Sequence, residues 1–457
     1  MAMGKPPTAS ERAKVVAKIV EETFPKLDFS LRIEKAEYRA RWKSVQAVMK
    51  AKGYTVGYAC GSELDRSDIA WLAGVYDPII ERYGLLLPAE GRPVILAGSE
   101  GGHVLEEAAE QSGADIALMR EFQISDEDYR HAHFQKFDEI LRKAGISGAQ
   151  KVAIFSSGEF LPLAHYGLLA RYFGQENLAF DPELLQRIKY VKSLKELKII
   201  QQANIVADAA FRAMLAVLRP GVMEVAVAGV GDHVMKELGA HRLGFPTIVT
   251  SGDRNYTVIG PASTKKIQEG EVVAMGLSPT WKGYHGIMRR TVRVGADFTP
   301  LQRQFVEAVE GLYHVVMQKT IEAARKNLPA NAIDQAGKQY LEQVKLTTVR
   351  GNNVSPKEPY TFIHNTGCSE CQEGFGAVTP YSKEPLGKRV ALMIDVALMG
   401  FEQRHKAQFE CLYAVVEDAF WKNGTRVGVY NTLPLNVQSL VGSDQPPREV
   451  NPYYRAL

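Results

Sequence analysis

The stretch from Gln268 to Gly295 constrains the chain more than any other. Val272 to Leu277 is an apolar run of strand length, and Pro279-Thr280-Trp281-Lys282-Gly283 supplies turn chemistry. Alternation follows from Tyr284 to Val294, so the whole reads as a β-hairpin. A period of two puts His285, Ile287, Arg289 and Thr291 on one face of the second strand, and Tyr284, Gly286, Met288 and Arg290 on the other.

The rest of the chain must supply a core for that hairpin, and at 457 residues it is long enough for two or three domains. A net charge of +3 with mixed signs gives no concentrated basic face for nucleic acid. No apolar run reaches the ~18 residues of a membrane span, and the first residues lack an apolar signal core. We therefore expect a cytoplasmic protein with neither nucleic-acid nor membrane partners. Four cysteines, Cys60, Cys368, Cys371 and Cys411, are too few for a disulfide framework in a chain of this length.

In chain order, residues 10–25 and 36–52 read as helices, the second closed by Gly53. Strand-like and helix-like runs then alternate to about residue 155, among them RPVILAG and KVAIFSS. Such runs fit parallel strands buried between helices. A boundary falls between Pro182 and Val191, giving domains of about 1–185 and 190–457. The second domain opens on a capping box, Ser193 to Glu196, and a stripe of Ile200, Ala203, Ala207, Ala210, Met214 and Val217. Thr299 caps a helix over 300–326 with Pro300 in its first turn, another helix covers 330–345, and strands and loops follow.

With Gly270-Glu271, Gly283-Tyr284 and Arg290-Thr291 framing it, the hairpin resembles the metal-binding hairpin of the pita-bread proteins: creatinase, aminopeptidase P, prolidase and methionine aminopeptidase. The resemblance implies an α/β N-terminal domain and an α+β pita-bread C-terminal domain, and a homodimer. It also implies five metal ligands in the peptidases, and this chain departs from them. The two aspartates' places fall on Gly276 and Ile287, and a substrate-binding histidine's place, seventeen residues before Gly276, falls on Ile259. In the segment His364-Asn365-Thr366-Gly367-Cys368 the first histidine is kept and Cys368 takes the metal-binding one's place. Asp395 stands for one glutamate, and the last glutamate is matched to Glu410 in Phe409-Glu410-Cys411. The reading is thus of a divergent member without the standard dimetal site, holding neither metal nor other cofactor.

His364, Cys368, Asp395 and Glu410 are then the candidate acid–base groups. Arg289, with His285 on its face, is the candidate grip for a substrate carboxylate. Arg254, in the loop where the resemblance implies the substrate side, and Tyr256 as an aromatic wall complete the candidate site. Cys368-x-x-Cys371, alone or with Asp395, Glu410 or His405, is a weak zinc pattern, and Arg404-His405-Lys406 reads as a solvated charged loop. The expected function is metal-independent hydrolysis of a C–N bond, or a lyase reaction, on a small anionic substrate. One alternative is a pseudoenzyme binding a peptide or small ligand; another is an Xaa-Pro aminopeptidase or dipeptidase with an altered metal site.

Overall fold

The computed structural model describes residues 6–147, 150–371, 373–403 and 406–457. Arg404 and His405 of the charged loop lie outside them. The chain divides into two compact units. One comprises residues 31–191 with 367–375; the other comprises residues 1–30, 192–366 and 376–457.

Helix α1 (Ala9–Thr23) starts on a capping box between Thr8 and Glu11. Its place in the sequence assigns it to the first domain, but it packs on the helices Leu194–Val217 and Glu224–Glu237 of the second unit. Ion pairs Lys18–Asp444 and Glu22–Arg212 tie it there.

The unit built on residues 31–191 contains α2 (Lys35–Ala51), β1 (Val56–Gly61), α3 (Ser67–Ala73), β2 (Tyr83–Pro88), β3 (Val94–Ala97) and α4 (Gly102–Ser112). It continues with β4 (Asp115–Leu118), α5 (Phe137–Lys143), β5 (Val152–Ile154), α6 (Leu163–Phe173), β6 (Leu178–Phe180) and α7 (Pro182–Tyr190). Its six strands run in the order β4-β3-β2-β1-β5-β6. The sheet is mixed rather than parallel, because β2 pairs antiparallel with both β1 and β3. A tight turn through Gly91, at φ 96°, lets β3 double back on β2 without a crossover helix. Lys189 is fully buried between Asp68 (2.9 Å) and Glu373 (3.3 Å), which fastens residues 367–375 to this unit.

The second unit begins with α8 (Leu194–Val217), whose predicted capping box is formed in both directions. Ile200, Ala203, Ala207, Ala210, Met214 and Val217 are all buried, and an aliphatic side chain so placed contributes about 1.5–3 kcal/mol. Then come α9 (Glu224–Glu237), β7 (Arg242–Leu243), β8 (Ile248–Ser251), β9 (Val272–Leu277), β10 (Pro279–Trp281), β11 (Tyr284–His285) and β12 (Met288–Arg293). Helices α10 (Pro300–Lys326) and α11 (Asn331–Gln343) follow, with α10 capped by Thr299 as expected. Two short ribbons, β13 (Leu346–Thr347) with β14 (Asn353–Val354) and β17 (Phe401–Gln403) with β18 (Lys406–Ala407), flank the long strands. Those strands are β15 (Ile363–Asn365), β16 (Arg389–Met399), β19 (Tyr413–Asn423) and β20 (Arg426–Val429).

One antiparallel sheet, in the order β15-β16-β19-β12-β9-β8, forms the floor of this unit, and α10 lies against β16 and β19. The predicted hairpin is present but broken in two. Its outer halves, β9 and β12, belong to this sheet, whereas β10 and β11 join β7 in a separate three-stranded sheet. The turn is Lys282-Gly283, with φ of 47° and 81°, the positive values a primed two-residue turn requires. The break falls at Gly286-Ile287. Ile287 donates its N–H to Asn204 Oδ1 (3.1 Å) and its carbonyl accepts from Asn431 Nδ2 (2.9 Å), neither pairing with a strand. Gly286 must lack a side chain, because a Cβ there would stand 2.5 Å from the Ala203 carbonyl oxygen of α8. His285 therefore does not share the face of Arg289; alternation does not carry across the break.

Candidate active site

Four residues stand side by side across the large sheet. Asp395 on β16 faces Glu417 on β19, Glu417 faces Arg289 on β12, and Arg289 faces Gly276 on β9. Directly opposed residues of neighbouring strands project from the same face, so three charged side chains meet in one line. All three are buried, at 5%, 1% and 5% exposure for Asp395, Glu417 and Arg289.

Arg289 Nη1 lies 3.4 Å from Asp395 Oδ2 and 3.4 Å from Glu417 Oε2. It also lies 3.3 Å from the Tyr360 hydroxyl. Nη2 donates to the Val258 carbonyl (2.7 Å) and to Tyr413 Oη (2.8 Å). Tyr360 donates to Asp395 Oδ1 at 2.9 Å, and the two tyrosine hydroxyls are 2.7 Å apart. His364, at the centre of β15, reaches Glu417 Oε1 with Nε2 (3.2 Å), while Nδ1 meets its neighbour's carbonyl at Asn365 (3.0 Å). Beside the charges sits a small apolar wall of Ala274, Ala397, Tyr413 and Val415, packed by Val258 and Tyr360.

Burial pushes the Asp395 carboxyl up, Glu417 beside it adds to the rise, and Arg289, His364 and Tyr360 offset only part of it, leaving the group at about 7. For Arg289, burial works against the charge, but Tyr413, Tyr360, Asp395 and Glu417 outweigh it and hold the guanidinium firmly protonated. Tyr360 is held well above the usual phenol range, chiefly by burial and then by Asp395.

The next residue on each strand points the other way. Arg290 Nη2 donates to both carboxylate oxygens of Asp418, at 2.8 and 3.0 Å, with both side chains fully buried under α10. Tyr313 of α10 and Asn451 complete that carboxylate's bonds. Arg289–Glu417 and Arg290–Asp418 are thus two ion pairs on opposite faces of one sheet.

Of the residues expected from sequence, His364, Asp395 and Arg289 meet here. Arg289 does not present a free fork for a substrate carboxylate, since both its terminal nitrogens are engaged within the cluster. Glu410 is not part of it. It is exposed, lies in the irregular segment before β19, and accepts from Thr299 Oγ1 (2.5 Å) at the start of α10. The strand carboxylate is Glu417, five residues into β19, which the match to Glu410 passes over. A signal for it exists, for Glu417 and Asp418 are the only acids in the otherwise apolar stretch Tyr413–Trp421. Cys368 is buried and belongs to the other unit. His285 is buried beside Gly244 in the small sheet. Arg254 is bound to the fully buried Glu224 (3.0 Å) and to the Pro261 carbonyl, and Tyr256 packs edge-on to Phe401. Among the described residues, none of these three bonds to Arg289, Asp395 or Glu417.

His364, Asp395 and Glu417 each offer one donor atom within 4.8 Å of the others, a donor set that suits a divalent ion. The guanidinium at 3.4 Å from both carboxylates already supplies positive charge there and opposes a second cation. Opposite it, a Cβ at Gly276 would come within 2.5 Å of Arg289 Cγ, so no ligating side chain fits on β9 while Arg289 stays in place.

Residues 198–417 match the metallopeptidase family M24, a span that opens in α8 and ends on Glu417. An Xaa-Pro dipeptidase of Pyrococcus horikoshii is 28% identical over 213 residues, 46% of this chain and 57% of that protein. A Bacillus subtilis protein described as the uncharacterized peptidase YqhT is 36% identical over 133 residues, 28% of this chain and 38% of its own. The chain thus aligns with about half the length, or less, of these relatives. Among solved structures, the prolidase from Pyrococcus horikoshii OT3 superposes with a TM-score of 0.68 at 19% identity, covering 88% of this chain and all of that one. The Thermotoga maritima X-Pro aminopeptidase gives 0.65 at 15% identity, over 87% of this chain and 99% of that one. Over residues 198–417 the chain is similar to the M24 peptidases, and it has the pita-bread fold, preceded by an α/β part.

Proposed function

We propose that this protein is a hydrolase of the prolidase type that cleaves the amide C–N bond of a short, carboxylate-bearing peptide such as an Xaa-Pro dipeptide. In this reading Arg289 stands where its peptidase relatives carry metal charge. The observation that carries it is the single guanidinium nitrogen 3.4 Å from both Asp395 and Glu417. Burial and the neighbouring carboxylate push Asp395 up to about 7 while Arg289 offsets part of the rise, which suits Asp395 as the acid of the site. Glu417, held in place by His364, takes the proton from the attacking water; Asp395, titrating at about 7, returns a proton to the departing nitrogen. The residues at positions 276 and 287 carry no ligating atom, so the dinuclear centre implied by the resemblance does not fit and no step passes through it. The similarity to Xaa-Pro dipeptidases favours a peptidase over the lyase and pseudoenzyme alternatives. A cytoplasmic homodimer is part of the same proposal; no helix among the described residues is long and apolar enough to cross a membrane.

The test is hydrolysis of an Xaa-Pro dipeptide panel by protein treated with a chelator, alongside Asp395→Asn and Glu417→Gln. Chelator-resistant cleavage that both substitutions abolish is the expected result. Cleavage that appears only on adding manganese or cobalt, or that survives both substitutions, defeats the proposal.

A further inference from the structure

We infer that Tyr360 is a further catalytic residue of this site, donating its hydroxyl hydrogen bond to the substrate carbonyl oxygen as negative charge develops on it. The inference rests on the hydrolase reading above and adds a group which that reading does not use.

Three observations support it. First, access: Asp395, Glu417, Arg289 and Tyr413 are buried, whereas Tyr360 and His364 are only partly so. With Val258, these two side chains are the parts of the cluster that reach the surface. Second, direction: Tyr413 Oη accepts from Arg289 Nη2 (2.8 Å), so its own proton is directed to Tyr360 Oη, 2.7 Å away. Arg289 Nη1 also points at that oxygen from 3.3 Å. With donors entering its oxygen, Tyr360 gives its one hydrogen to Asp395 Oδ1 at 2.9 Å, a bond it exchanges for one to the substrate oxygen when that carboxyl carries its own proton. A chain running from a guanidinium through two hydroxyls polarises its last O–H and makes it a stronger donor. Third, disposition: Tyr360 bonds Asp395 while His364 bonds Glu417, so the two accessible groups lie on different carboxylates. Water activated on the His364 side and a carbonyl oxygen held on the Tyr360 side fit one tetrahedral centre between them.

The step balances without a co-reactant. Water oxygen bonds to the carbonyl carbon as its proton passes to Glu417, and the carbonyl π pair moves onto the oxygen held by Tyr360. The intermediate collapses, the C–N bond breaks, and Asp395 protonates the nitrogen, giving an acid and an amine. Tyr360 keeps its proton throughout.

The experiment compares wild type, Tyr360→Phe and Asp395→Asn on Ala-Pro, with binding of the phosphinic analogue of Ala-Pro by calorimetry. Loss of one oxyanion donor lowers kcat by about 10²–10³-fold. We expect that fall in Tyr360→Phe with KM within about threefold, and affinity for the phosphinate lost in parallel with kcat. Wild-type kcat in Tyr360→Phe together with an inactive Asp395→Asn overturns the inference and leaves the hydrolase reading standing. Full activity in both overturns the reading itself. Should Tyr360→Phe not fold, 3-fluorotyrosine at position 360 keeps the shape and acidifies the hydroxyl; an unchanged kcat there also overturns the inference.

Discussion

Gly276 and Arg289 face each other across the β9–β12 ladder, and the absence of a side chain on the first makes room for the second. The geometry is specific: a Cβ on Gly276 would meet Arg289 Cγ at 2.5 Å, Cδ at 3.1 Å and Nε at 3.3 Å. Gly276 is not at a positive φ, so its need is for space and not for backbone freedom. Replacing it by alanine should therefore displace the guanidinium, at about 1–3 kcal/mol for overpacking. Urea unfolding of Gly276→Ala, Arg289→Ala and the double variant checks this. The two losses should be markedly less than additive, because removing Arg289 removes the clash.

Arg290 and Asp418 make the opposite kind of pair, sealed under α10 and remote from solvent. Burial drives the Asp418 carboxyl up and Arg290 brings it only partly back, to about 6. Deleting the arginine leaves an acid with no cation in the core. Arg290→Leu should lose about 3–5 kcal/mol of stability, whereas the paired change Arg290→Leu with Asp418→Asn should lose much less. Thermal unfolding of both variants decides.

Asp395 carries a pH dependence whose sign is fixed by its shift. Its carboxyl is raised from 3.8 to about 7 in the folded protein, so the folded state holds this proton more tightly than the unfolded chain. The corresponding stability is complete below the unfolded value and is lost as pH rises through the folded one. Asparagine at 395 removes that slope. Relative to wild type, Asp395→Asn should gain melting temperature between about pH 5 and about pH 8. A constant difference over this range would show that Asp395 does not titrate there.

Much of the second unit is legible in the sequence because its signals are local. The Ser193 capping box, the stripe on α8 and Thr299-Pro300 at the head of α10 each follow from neighbouring residues alone, and each is found as expected. His364 and Asp395 are reached through the resemblance of their segments, and Arg289 through the period of its strand; the structure brings the three together. What the sequence does not disclose is relational. The hairpin breaks where Asn204 and Asn431, far away in sequence, bond the Ile287 backbone. The α1 helix leaves its sequence neighbours for partners near residues 212 and 444. Glu410 and Glu417 both stand near apolar residues, and only the pairing of β19 with β16 and β12 shows which of them faces Asp395.

That choice between two glutamates can be tested directly. Glu417 lies opposite both Asp395 and Arg289 and holds His364, so it is the carboxylate through which a proton leaves the attacking water. Glu417→Gln keeps the shape and removes the charge; the loss of a general base costs about 10²–10⁴-fold in rate. Glu410 has no link to the row among the described residues, and its bond to Thr299 merely supports the start of α10. Glu410→Gln should hydrolyse the same dipeptide at the wild-type rate, with at most a small fall in melting temperature. Steady-state kinetics of the two variants, measured side by side, distinguishes the roles. A dead Glu410→Gln beside an active Glu417→Gln would move the chemistry off the sheet face and onto the loop before β19.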